Sequence, residues 1–114
     1  MSSALTLLAT TTLTKWSPLT PALAKVYGAP VDTSAGATAR LQIDALTTNV
    51  DISIETGPTA SGPWRSVYEG SCVGQPTNPP AGSFNISIVG LDAFTRVGYR
   101  SKYEGTLTIA GTLL

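Results

Sequence analysis

Histidine is absent from this 114-residue chain, and cysteine and methionine occur once each. Without histidine, neither a Ser-His-Asp triad nor a Cys-His pair can be assembled. Zinc sites built on His or on paired Cys are excluded as well. A single cysteine closes no intrachain disulfide, so the chain is not a secreted disulfide scaffold. Charge is scarce too: 12% of positions are Asp, Glu, Lys or Arg, against roughly 25% in an average soluble domain. Seven basic residues balance seven acidic ones, which leaves no net field to draw in nucleic acid or an anionic membrane. No apolar run approaches the ~20 residues of a membrane-spanning helix. Residues 1–10 lack the basic region of an export signal, so the expectation is synthesis and assembly in a cytoplasm.

The acids Asp32, Asp44, Asp51, Glu55, Glu69, Asp92 and Glu104 are spread singly. No pair sits in a pattern that suggests a catalytic dyad, a calcium loop or a magnesium site. Glycine-rich phosphate loops of the GxxxxGK[ST] or GxGxxG type are missing. The expectation is a non-enzymatic chain with no catalytic residue, no metal ligand and no cofactor.

What the chain has in quantity is Ser and Thr, 11 and 17 residues, and short segments of period two. Leu41, Ile43 and Ala45 fall on one face, with Arg40, Gln42 and Asp44 opposite. Val50, Ile52 and Ile54 oppose Asp51, Ser53 and Glu55, and Phe84, Ile86 and Ile88 oppose Asn85 and Ser87. Residues 106–109 repeat the pattern, as do Leu5, Leu7 and Ala9. Clean alternation marks strands with one buried and one wet face, hence antiparallel sheets. Threonine suits the wet face of such strands because it is β-branched. Gly57-Pro58, Ser61-Gly62-Pro63, the proline-rich segment 70–82 and Gly90 break the chain where the runs end. Pro18 to Tyr27 could form one or two helical turns or another strand. The expected fold is all-β, an antiparallel sandwich of jelly-roll type with seven to nine short strands in one domain spanning 1–114. Within it, 1–37 form an N-terminal arm and strands, and 38–114 form the sandwich core. At about 5,900 Å² folded against about 17,000 Å² unfolded, a chain of this mass buries enough surface for one core.

Residues 38–111 carry a further pattern. Ala39-Arg-Leu-Gln-Ile-Asp44 is followed by Val50-Asp-Ile-Ser-Ile-Glu-Thr56, then by a Gly/Ser/Pro turn into Trp64-Arg-Ser-Val-Tyr68. Gly82-Ser-Phe84 opens the next strand, and Leu91-Asp-Ala-Phe-Thr-Arg-Val-Gly-Tyr-Arg100 precedes Gly105-Thr-Leu-Thr-Ile-Ala-Gly111. This resembles small β-sandwich virion proteins of tailed bacteriophages. In those proteins a strand ending in Glu-Thr-Ser leads through a turn to Trp, and an Arg-rich strand precedes a Gly-Thr-hydrophobic last strand. The resemblance covers about two-thirds of the chain. Two departures are visible: Ala60-Ser-Gly62 replaces the usual Asp-Gly turn, and Arg96 and Arg100 replace a tighter Arg-x-Arg spacing. Discoidin-like carbohydrate-binding jelly rolls share the same strand-turn-Trp grammar, while the N-terminal third, with Trp16, lies outside the match.

The resemblance implies a structural subunit of a virion assembled in the bacterial cytoplasm, most simply a decoration or cement protein of the head. Its partners would be the major capsid protein, other virion subunits or sibling copies in a homo-oligomer, with neither nucleic acid nor membrane. A neck or tail component is the nearest alternative, and a glycan-binding adhesion module is an alternative of another class. Candidate interface residues are Leu5, Leu7, Trp16, Trp64, Tyr68, Arg96, Arg100 and Leu113. Trp64 either closes one end of the sandwich over its core or offers an aromatic platform. Arg96, Arg100 and Lys102 share one strand parity, and Asp51 and Glu55 share the wet face of another strand. These groups would either pair with one another or face a neighbour. The uncharged termini, 5–13 and 106–114, lack the Lys or Pro that guards an edge strand. They are therefore expected to be closed within the fold or by a neighbour's strand. Asn85-Ile-Ser87 reads as a coincidental glycosylation sequon, and Cys72 as an inert residue in the long loop.

Overall fold

Two antiparallel sheets face each other across one apolar layer. The computed structural model describes residues 3–13, 25–46, 49–73, 82–101 and 105–114. Nine strands lie within them: β1 (Ser3–Leu13), β2 (Val26–Tyr27), β3 (Val31–Asp32), β4 (Thr38–Leu46), β5 (Asn49–Gly57), β6 (Arg65–Val73), β7 (Gly82–Val89), β8 (Phe94–Ser101) and β9 (Gly105–Leu113). There is no helix among the described residues. The first sheet runs β1-β9-β4-β7 and the second β2-β8-β5-β6, with β3 also pairing to β8.

β2 and β3 behave as one interrupted strand. Tyr27 pairs with Gly98 and Val31 with Thr95, and the amide of Gly28 still donates to the Val97 carbonyl at 2.9 Å. The break falls at Pro30, which has no amide hydrogen for the ladder. Counted as one, these strands leave eight in the orders 1-8-3-6 and 2-7-4-5, the jelly-roll winding. The antiparallel sandwich expected from alternation is therefore the fold.

Alternation in the letters becomes burial in space. Leu41, Ile43, Val50, Ile52, Ile54, Ile88, Val97, Leu107 and Ile109 are buried in the shared core, with Ile86 and Tyr99 packed against it. β9 pairs with β1 on one side and β4 on the other, so the uncharged C-terminal segment is an inner strand closed within the fold. β1 departs from simple alternation. Register shifts fall between Thr6 and Leu8 and between Leu8 and Thr11. These bulges turn both Leu7 and Leu8 inward while Ala9 is exposed, because each shift advances the strand against the pleat.

A second departure concerns the segment expected to be loop from Gly70. β6 continues to Val73, with Ile52 opposite Gly70 and Val50 opposite Cys72, so Cys72 lies in a strand. Gly70 leaves room there for the Tyr68 ring. A Cβ at that position would stand 2.5 Å from the Tyr68 hydroxyl oxygen, whose ring folds over the glycine. Residues 74–81 and 14–24 lie outside the described residues.

One end of the core is polar. Thr33, Thr56 and Thr95 are fully buried on the inward faces of β5, β8 and the segment after β3. The Thr33 hydroxyl donates to the Asp92 carbonyl at 2.8 Å, and that of Thr56 donates to the Phe94 carbonyl at 2.8 Å. The Asp92 amide in turn donates to Thr56 Oγ1 at 2.8 Å, and Thr95 Oγ1 lies 2.8 Å from Thr33 Oγ1 and 3.2 Å from Thr56 Oγ1. The hydroxyls of Thr33 and Thr56 satisfy backbone groups where the chain turns into β8, and Thr95 links the two, so the three act as a latch. Just outside, the Ser34 hydroxyl and amide donate to the Asp32 carboxylate at 2.6 and 2.9 Å. These bonds hold the Asp32 carboxyl below the usual range.

Replacing Thr56 with Val keeps the shape but strands the Asp92 amide and the Phe94 carbonyl, so the expected loss is about 1–3 kcal/mol. Thr95→Val leaves Thr33 and Thr56 bonded to their backbone partners and is expected to change stability by less than about 1 kcal/mol. Paired urea unfolding curves check the contrast, and equal losses would contradict the latch.

Candidate functional site

The register of β5 against β8 assembles the charged face of the second sheet. Asp51 stands opposite Arg100 and Glu55 opposite Arg96, with Ser53 and Gly98 between. Cross-strand neighbours on one face are close enough to pair. Arg100 Nε donates to Asp51 Oδ2 at 2.8 Å, while Arg96 presents both Nε and Nη2 to Glu55 Oε1 at 2.8 Å. Lys25 reaches Glu69 at 4.0 Å. Arg65 reaches Asp92 at 3.3 Å and also donates to the Gly90 carbonyl, fastening β6 to the turn between β7 and β8. Four of the chain's cations are thereby matched to four of its acids across the fold.

Aromatic rings frame this ladder. The Arg96 guanidinium lies 3.8 Å from the centroid of Tyr27 and 4.5 Å from that of Trp64, so one cation is held between two rings. Tyr27 can lie flat here because β8 has glycine at 98. A Cβ there would stand 2.6 Å from Tyr27 Cε1 and 2.8 Å from Ser53 Oγ. Ser53 is sealed beneath the cluster, and its Oγ has no hydrogen-bond partner in the described structure. The guanidinium is committed to Glu55 and the two rings, an arrangement that fixes positions rather than activating a proton or a nucleophile. Among the described residues no group of three His, Cys, Asp or Glu side chains could hold a metal ion.

The first sheet turns a different face outward. Across β1 and β9 the outward residues are Ala4, Thr6, Thr10 and Thr12 beside Thr106, Thr108, Ala110 and Thr112. They meet as Ala4 opposite Thr112, Thr6 opposite Ala110 and Thr12 opposite Thr106. Thr10 and Thr108 hydroxyls share a hydrogen bond at 2.9 Å. This lattice carries no charge. Towards β7 it gives way to a trough of about 370 Å³ whose polar lining is Arg40, Gln42, Asn85 and Ser87, beside Ala110.

The candidate interface residues separate into three groups. Trp64 and Arg96 come together on the outer side of the second sheet, and Arg100 lies further along the same face of β8, paired with Asp51. Leu5, Leu7 and Leu113 are core residues, buried within the single chain. They are not surface anchors, because β1 and β9 cover each other and the opposite sheet. Tyr68 stands opposite Ile54 and packs against the core. Trp64 is only half-buried, lies outside the core cluster and stacks on Arg96, so it does not close the core. Trp16 and Lys102 lie outside the described residues. Tyr27 is the member of the aromatic cluster that sequence reading missed. Its signal was the glycine at 98, midway between two arginines on one strand face.

No family model matches the chain, and no curated protein matches it. Among solved structures it is similar to a carbohydrate-binding module, CBM28, whose crystal structure is described as specific for non-crystalline cellulose. The TM-score is 0.40 at 7% identity, over 77% of this chain and 61% of that one.

Proposed function

We propose that this chain is a non-enzymatic structural subunit of a tailed-phage particle, present in many copies and most simply a decoration protein of the head. The observation that carries the reading is the uncharged Thr/Ala lattice over β1 and β9. A free protein normally breaks such a surface with mixed charges, whereas here the first sheet carries its charges, Arg40 and Asp44, on β4, outside the lattice. An uncharged face made of short side chains loses little side-chain entropy when covered, which suits many modest contacts repeated by symmetry. The resemblance of residues 38–111 to phage virion sandwiches supports the same reading, and the lattice would serve a neck or tail position equally well. Co-sedimentation with preassembled capsid shells tests it. The wild-type chain is expected to saturate the shells, and Thr6→Lys/Thr10→Lys to lose binding at least tenfold while keeping its unfolding midpoint. A folded wild-type chain with no affinity for shells overturns the head reading.

A second reading, a glycan-binding module, draws on Tyr27 and Trp64 sharing one face with Asp51 and Arg100. Aromatic rings beside hydrogen-bonding groups are what a sugar ring stacks on. Glycan-array binding that disappears in Trp64→Ala favours this reading over the first.

A further inference from the structure

The four sheet edges are not equally guarded. Proteins blunt an edge with bulges, charges, proline or brevity, since a regular exposed edge templates pairing with another strand. β1 carries two register shifts. β6 carries Arg65, Glu69 and a register shift opposite Ile54 and Glu55. β2 and β3 are two residues each, separated at Pro30 and ending in Asp32. β7 has none of these devices. Its eight residues, Gly-Ser-Phe-Asn-Ile-Ser-Ile-Val, contain no charge and no proline. They run in unbroken register against β4, from Ala45 opposite Gly82 to Thr38 opposite Val89. Among the described residues β4 is its ladder partner. Asn85 and Ser87 are exposed, and Val89 is 72% exposed at the end of the strand.

We infer that β7 is the strand across which a second copy of this chain adds, antiparallel, about a two-fold axis. The inference rests on the multi-copy reading above and names the interface between copies. The chemistry favours a copy over a dissimilar partner. An isologous contact sets the strand against its own copy, residue i against j and j against i, and because β7 carries no charge no register of that pairing brings like charges together. Backbone groups supply the attraction in strand addition, while Ile86, Ile88 and Val89 favour the extended state. The joined sheet runs β1-β9-β4-β7 and then the same strands in reverse order in the second copy. Asn85 and Ser87 of the two copies become cross-strand neighbours on its outer face, where amide and hydroxyl groups can bond across the join. The trough lined by Arg40, Gln42, Asn85 and Ser87 then lies beside that axis in duplicate, and the Thr/Ala lattices of both copies turn the same way.

Sedimentation velocity over a hundredfold concentration range tests the inference. The wild-type chain and Thr6→Lys/Thr10→Lys are expected to sediment as dimers, and Ser87→Lys/Val89→Lys as a monomer. Hydrogen exchange on the wild-type chain gives a readout that needs no variant: alternate amides of β7 slow as concentration rises, while those of β1 do not. A wild-type monomer throughout, or a dimer that survives the β7 lysines with no concentration-dependent protection in β7, overturns the inference. Shell co-sedimentation in parallel separates the two proposals. A monomer that binds shells removes the β7 pairing and keeps the virion reading, whereas a β7 dimer with no affinity for shells does the reverse.

Discussion

A chain ended after Glu104 is expected not to fold. The missing residues hold β9, which sits between β1 and β4 rather than at an edge. With β9 gone, β1 loses its described ladder partner and β4 keeps only β7. Leu107, Ile109 and Leu113, all buried, leave the core directly. Full burial of such side chains is worth about 1.5–3 kcal/mol each. Leu5, Leu7, Leu8 and Leu13 then lose the strand that holds them in place. The combined loss reaches or exceeds the about 5–15 kcal/mol by which a domain is stable. Far-UV circular dichroism of the truncated chain should show no cooperative melt, and a synthetic peptide of residues 105–114 should restore it in part. A truncated chain that still melts cooperatively would mean that β9 is dispensable and that the sheet order described above is wrong.

The same strand explains which parts of the molecule were legible in the letters. β4, β5, β8 and β9 each turn one regularly spaced apolar face into the core, so their period of two is written directly in the residue types. The charge ladder was also legible. Asp51 and Glu55 are four apart, as are Arg96 and Arg100, so antiparallel strands in the right register bring both pairs together. What escaped lacks a residue-type signature. Bulges in β1 leave no mark in composition, so the parity of Leu7, Leu8 and Ala9 could not be read. Threonine is the same letter on a wet face and in a buried latch, and the hydroxyls of Thr33, Thr56 and Thr95 are explained only by the backbone groups and the hydroxyls they meet. Gly70 and Cys72 sit among loop-like residues, yet the chain stays extended because β5 pairs with it. Of the two uncharged termini, the C-terminal one is closed within the fold as the inner strand β9, whereas β1 is an edge strand broken by two register shifts. Leu5, Leu7 and Leu113 were placed at an interface because the sequence does not say that the two ends cover each other.

Arg96→Ala is expected to destabilise the fold by about 2–4 kcal/mol, and Arg100→Ala by less than about 1 kcal/mol, although each arginine makes an ion pair at 2.8 Å. The difference lies in the surroundings. The side chains of Arg96 and Glu55 are 23% and 19% exposed, against 44% and 39% for Arg100 and Asp51. Water competes for the outer pair and screens it, and such pairs measure near the low end of the scale. For the inner pair, hydrogen bonds to a charged group contribute about 1.5–3 kcal/mol. The contact of a cation with each ring adds about 0.5–1 kcal/mol or more as water is excluded. Removing Arg96 also leaves Glu55 in a half-buried site without its cation, and it opens the space between Tyr27 and Trp64. For a domain near this size the loss corresponds to a fall in melting temperature of roughly 10 °C or more. Arg96→Lys separates the two contributions, since it keeps the charge but not the flat fork that stacks and bonds at once. It should recover less than half of the loss. Adding 0.5 M salt should shrink the Arg100 effect towards zero and leave most of the Arg96 effect, because the rings keep solvent ions from the inner pair. Similar small losses for both arginines would mean that the aromatic cluster does not hold the guanidinium in solution, and Tyr27 and Trp64 would then be free surface rings.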